Sequence, residues 1–130
     1  MNTDIRWKQR FQNFEKAYRL MDATLGLKAL SIAEEAGLVK FYELAFELAW
    51  KTLKDILENE GIVVKSPRQT FKEAFPLALI QDSVWLEMLD DRNILAHTYD
   101  EEIAKKAVST IREKYFPAFR ELYMKLKKKA

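Results

Sequence analysis

Apolar residues recur along this chain at steps of three and four, the period of a helix that turns one face inward. Ile5, Phe11, Phe14, Tyr18, Met21 and Leu25 form the first such stripe. They predict a helix from about Asp4, as N-cap, to the Leu25-Gly26-Leu27 region. A second helix is expected from near Leu30 to Glu60, with Gly61 as its C-terminal stop. Between Phe41 and Trp50 this stretch is apolar around most of its circumference. One narrow polar strip remains: Lys40, Glu43, Glu47, Lys51, Lys54 and Glu58. A helix this apolar needs cover from two sides, supplied by other helices of a bundle or by a partner subunit.

Ile62-Val63-Val64-Lys65 reads as a short extended linker. Ser66-Pro67-Arg68 then has the form of a helix start, with Ser66 as N-cap and Pro67 at the first helical position. This short third helix is expected to end between Pro76 and Ile80. A fourth begins at Asp82 or Ser83 and carries the run from Asp91 to Tyr99. A fifth covers about Glu101 to Lys129, where Pro117 should kink or break it. The sum is all-α: an antiparallel four-helix up-and-down bundle with one extra short helix, one domain over residues 1–130.

Composition narrows the chemistry. The chain has 130 residues, 48% hydrophobic and 32% charged, which suits a folded protein with a single core. Three glycines and three prolines leave room for long uninterrupted helices. With no cysteine, disulfides and thiolate metal sites are excluded. A single histidine cannot begin a zinc site, and neither metal nor cofactor is expected. No long uncharged apolar run suggests a membrane span, and the N-terminus lacks a signal-peptide pattern, so a cytoplasmic location is expected. A net charge of +2 is too balanced to announce nucleic-acid binding by bulk electrostatics. The basic run Lys125 to Lys129 suits a solvated helix end favoured by the macrodipole.

The candidate chemistry lies in Asp91-Arg92-Asn93-Ile94-Leu95-Ala96-His97-Thr98-Tyr99-Asp100. On a helix, Trp85, Met88, Leu89, Leu95 and Ala96 share one face, and Arg92 falls in its middle. A guanidinium in an apolar seam is costly unless it meets an anion or a wet groove. His97 lies roughly 140° around from Arg92 on an ideal helix, whereas Asn93 shares its side. Arg92 and His97 therefore converge only if the helix ends near His97, if Arg92 reaches around, or if a second subunit completes the site. Asp100 can cap the next helix and so allow an ending there. Together the two side chains could cleave a phosphodiester without metal. Histidine would take the proton from a ribose 2′-hydroxyl, and arginine would hold the phosphate. The plainer reading makes Arg92 a buried ion-pair partner and His97 a surface residue.

Phe46-Glu47-Leu48-Ala49-Trp50-Lys51, Ser66-Pro67-Arg68, and Asp91-Arg92-Asn93 with His97-Thr98-Tyr99 together resemble the HEPN superfamily. Specifically, the chain resembles the small helical protein that accompanies a minimal nucleotidyltransferase in a two-gene module. Its last block matches the signature of Arg, four to six residues, then His, in the form with Tyr two places after His. The resemblance covers nearly the whole chain. It implies a bundle that dimerises and brings two Arg-His motifs into one cleft. It also implies metal-independent RNA cleavage by Arg92 and His97 supported by Asn93, and a nucleotidyltransferase partner that attaches AMP to Tyr99 and silences the toxin. The alternative within the family is a non-catalytic substrate-binding subunit for that partner.

Other residues have two readings. Glu47 and Lys51, one turn apart, can form a solvated pair, or Glu47 can reach Arg92 and hold it. Asp91 could support the same motif. Arg68 belongs first to a helix start and secondarily to phosphate contact. Trp50 is expected in the core, and Trp85, Met88 and Leu89 in the core or a dimer interface. The chain offers no Gly-Ser turn with spaced aspartates, so nucleotidyl transfer by the chain itself is not expected.

Overall fold

The computed structural model describes residues 2–81, 83–91 and 99–130. Its helices are α1 (Asn2–Leu25), α2 (Ile32–Asn59), α3 (Pro67–Ala74), α4 (Val84–Asp90), α5 (Glu101–Thr110) and α6 (Phe116–Lys129). A π-helical turn, Ile111–Tyr115, joins α5 to α6. No strand occurs among the described residues. The molecule is an all-α bundle, as the apolar spacing predicts.

Side-chain pairs give the relative directions of α1, α2 and α6. Arg6 meets Glu58 at 3.7 Å and Arg10 meets Asp55 at 2.7 Å, so α1 and α2 run antiparallel. Phe11 stacks on Tyr123, Phe14 on Phe119 and Tyr18 on Phe116, so α1 and α6 are antiparallel as well. Tyr42 of α2 reaches Tyr115 and Phe119, while Phe46 meets Phe71 of α3 and Trp85 of α4. The core is thus a chain of aromatic rings linking every helix except α5. Offset and edge contacts of this kind add about 0.5–1.5 kcal/mol each beyond burial.

Local chemistry sets most helix ends. Ser31 caps α2: its hydroxyl accepts from Glu34 N–H, and the Glu34 carboxylate accepts from Ser31 N–H. Gly61 closes the same helix at φ 81°, with Gly61 N–H on the Glu58 carbonyl and Ile62 N–H on that of Leu57. Ser66 caps α3 by accepting from Gln69 N–H, with Pro67 in the first turn. Asp100 caps α5 by accepting from Glu102 and Ile103 N–H.

Several expectations need correction. The first helix starts at Asn2, so Asp4 lies inside its first turn rather than capping it. Ile5 is exposed, and Trp7 holds the inward position. Six residues separate Ile5 from Phe11, about 240° of rotation, whereas Trp7 is one turn away. The third helix ends at Ala74, before Pro76, and leaves Phe75 and Leu77 exposed. Phe75 keeps helical dihedrals (φ −60°, ψ −51°), but Pro76 has no N–H to donate to the Lys72 carbonyl and its ring clashes there, so the helix cannot run on. Trp50 is half-buried, because its indole N–H turns out to Glu47.

Pro117 does not break the last helix. The backbone instead widens just before it: Phe116 N–H donates to the Ile111 carbonyl, five residues back. A π-helical turn absorbs the clash and missing donor that a proline brings to an α-helix. The wider turn also lets two adjacent rings, Tyr115 and Phe116, both lie buried.

Candidate functional site

Arg92, Asn93 and His97 lie outside the described residues, as does their relation to Glu47. What the structure describes is the frame on either side of them. On one side, α4 ends at Asp90 with Asp91 as its cap, and Asp91 N–H closes the last turn on the Glu87 carbonyl at 2.9 Å. On the other side stand Tyr99 and the Asp100 cap of α5.

Trp85 and Met88 are buried, and Leu89 packs partly against the core. The apolar face predicted for this helix is therefore real as far as it is described. Phe46 and Phe71 meet Trp85 and hold it from α2 and α3. Opposite that face, three polar links tie the helix to its neighbours. Arg68 donates to Asp90 Oδ1 at 2.8 Å. Lys114 Nζ meets Glu87 Oε2 at 2.6 Å. Tyr115 donates its hydroxyl to Asp91 Oδ2.

These contacts place the supporting residues. Arg68 bridges α3 to the end of α4 through a carboxylate, so in this arrangement its guanidinium already has an anion. Asp91 is half-buried and faces the π turn. Glu47 accepts from the Trp50 indole N–H at 3.1 Å and has Lys51 Nζ at 3.9 Å, the bundle-edge pairing of the plainer reading. Tyr99 is 84% exposed. Its ring stands where a macromolecule could reach the phenol oxygen without opening the core. The acidic side chains Glu101 and Glu102 follow it in the first turn of α5.

Two residues of this frame escaped the sequence reading. Asp90 gave no signal, because its partner Arg68 is 22 residues away. Tyr115 could have been found only by asking how the backbone accommodates Pro117. Away from the frame, an open apolar recess of about 280 Å³ lies between α3 and the start of α4, lined by Phe71, Phe75, Ile80 and Leu86. It is formed by the opposite end of α4 from Asp91. No group of carboxylates and histidine able to hold a metal occurs among the described residues. Among these residues, no helix is long and apolar enough to cross a membrane.

Residues 9–128 match the family described as nucleotidyltransferase substrate binding protein like, and the chain belongs to that family, within the HEPN group its motif resembles. A curated relative, "Probable ribonuclease HepT" of Haemophilus influenzae, is 33% identical over 82 residues. That match spans 58% of this chain and 56% of the relative's length. The crystal structure of a Thermus thermophilus protein superposes with a TM-score of 0.73 at 28% identity, covering 89% of this chain and 97% of that one.

Proposed function

We propose that this chain is the HEPN half of a two-component module: a metal-independent endoribonuclease toxin, working as a homodimer and silenced by a nucleotidyltransferase partner. His97 removes the proton from a ribose 2′-hydroxyl. The 2′-oxygen forms its bond to phosphorus as the bond to the 5′-oxygen breaks, and the leaving oxygen takes up a proton. Arg92 holds the phosphate and stabilises the charge on its oxygens, and Asn93 supports them by hydrogen bonding. The products are a cyclic phosphate and a 5′-hydroxyl end. The partner silences the toxin by passing AMP from a nucleoside triphosphate to the Tyr99 oxygen, releasing pyrophosphate.

The observation that carries this reading is Tyr99, 84% exposed, two places after the histidine of an Arg-x4-His-x-Tyr motif. The 33% identical relative named as a ribonuclease supports it. A second reading is favoured by the family description itself: a non-catalytic subunit that binds substrate for the nucleotidyltransferase through the same cleft.

The two readings part on simple assays. Pure protein in EDTA should cut RNA, and His97→Ala should abolish the cutting. Co-expression with the neighbouring nucleotidyltransferase should add one AMP unit to Tyr99, read by mass spectrometry. Cutting that persists in His97→Ala would assign the activity to a contaminant. No cutting, with substrate capture lost in Arg92→Ala, would leave the binding-subunit reading.

A further inference from the structure

Asp91 stands one residue before the arginine of the motif, and its carboxylate accepts a hydrogen bond from the core. Tyr115 donates its hydroxyl to Asp91 Oδ2 across 24 positions of sequence. The ring that carries this hydroxyl is fully buried. It stacks on Tyr42 of α2, with centroids 5.6 Å apart and planes 18° from parallel. Tyr115 cannot turn away without opening the core, so Asp91 is held against a fixed point.

That fixed point depends on the π turn. Ile111–Tyr115 is the only π-helical element among the described residues, and turns of this kind recur at functional sites. The other links to the last turn of α4, Arg68 to Asp90 and Lys114 to Glu87, are between exposed side chains. Such pairs contribute little and order little. The Tyr115 bond differs from them: it is half-buried, and it ends on an ionisable acceptor that strengthens it.

We infer that Tyr115 is a positioning residue: by holding Asp91 it fixes the end of α4, at the residue that precedes Arg92 in the chain. The catalytic consequence rests on the ribonuclease reading above. The positional consequence does not, and the test separates them.

Tyr115→Phe keeps the stacked ring and removes only the hydroxyl. Hydrogen exchange at the Asp90 and Asp91 amides should quicken about tenfold or more as the last turn of α4 frays. Asp91→Ala should do the same, and Asp91→Asn, which keeps an acceptor oxygen, should restore most of the protection. Tyr123→Phe, which removes a partly buried hydroxyl bond to Glu15 elsewhere in the bundle, should leave those two amides unchanged. In RNA cleavage, Tyr115→Phe should lower kcat about tenfold with KM nearly constant, as misplacement of a catalytic group does. Adding it to Asp91→Ala should cost nothing further.

Unchanged exchange in both Tyr115→Phe and Asp91→Ala would overturn the inference, whatever the RNA assay shows. Should Tyr115→Phe fail to fold, the Asp91→Ala and Asp91→Asn pair decides it, equal exchange in the two counting against it. Quickened exchange in a protein that cuts no RNA would uphold the positioning role and sink the ribonuclease reading instead.

Discussion

Asp55 shows what a single charge does inside this bundle. It is a fully buried carboxyl on α2, and burial pushes its pKa up while the Arg10 guanidinium pulls it back. Arg10 Nε sits 2.7 Å from Asp55 Oδ2, a close ion contact that lacks the alignment of a hydrogen bond. Removing the arginine strands a buried anion, a change that typically costs about 3–5 kcal/mol. Arg10→Met should therefore destabilise the protein by about 3 kcal/mol at neutral pH, measured by urea unfolding. The loss should shrink on acidification. A carboxyl whose native pKa is raised binds protons more readily folded than unfolded, so its contribution is fullest at low pH and is lost as pH rises through the native value. A loss that stays constant between about pH 7 and pH 5 would show that Asp55 stays ionised without its partner. Tyr99 makes the opposite residue-scale case, a large ring left in solvent. On the proposed reading, Tyr99→Phe should abolish the AMP mass gain yet leave RNA cutting in place, since it removes the acceptor oxygen and keeps the ring.

At the scale of the element, the sequence was legible wherever the cause was local. The Phe11, Phe14, Tyr18 and Met21 stripe, the Ser66-Pro67 start, the Gly61 stop and the Asp100 cap all depend on neighbours within a turn, and all are present. Gly61 allows a sharp test. At φ 81° a side chain is strained even though a Cβ there would meet nothing within 4 Å. Gly61→Ala should cost about 1 kcal/mol from backbone strain alone, and a neutral result would mean that the α2 terminus rearranges freely. What the sequence hid was non-local. Trp7 is the exception, a local one: it lies one turn before Phe11, whereas Ile5 is about 240° around the helix from it. Pro117 foretold trouble in the last helix but not its form. Whether a proline kinks, breaks or widens a helix depends on what packs around it, here Tyr42 and Tyr18 against Tyr115 and Phe116. The sequence singles out Asp91 beside the motif but not its partner Tyr115, for the same reason.

At the scale of the molecule, the first and last helices must stay together for the motif frame to hold, since the π turn that meets Asp91 leads directly into α6. Their aromatic seam is locked by one polar cluster. Glu15 accepts from the Tyr123 hydroxyl at 2.6 Å and from Lys127 Nζ at 3.0 Å, with Arg19 at 3.3 Å. The Tyr123 bond first, and Lys127 after it, hold the Glu15 pKa down to about 2 from 4.5. Between those two values the unfolded chain binds the proton that the native state refuses. The cluster's contribution is thus complete above about pH 4.5 and fades as the pH falls toward 2. Glu15→Gln should cost about 1–2 kcal/mol at neutral pH, because charge-assisted bonds become neutral ones. The wild-type and variant stability curves should converge on acidification, as read by urea unfolding at a series of pH values. Added salt should trim the Lys127 and Arg19 part and spare the Tyr123 part, which is a hydrogen bond rather than a screened pair. Curves that run parallel down to about pH 2 would mean that Glu15 is not what couples the ends of the chain to acid. The stacking of Phe11 and Tyr18 on Tyr123, Phe14 on Phe119 and Tyr18 on Phe116 would then hold α1 to α6.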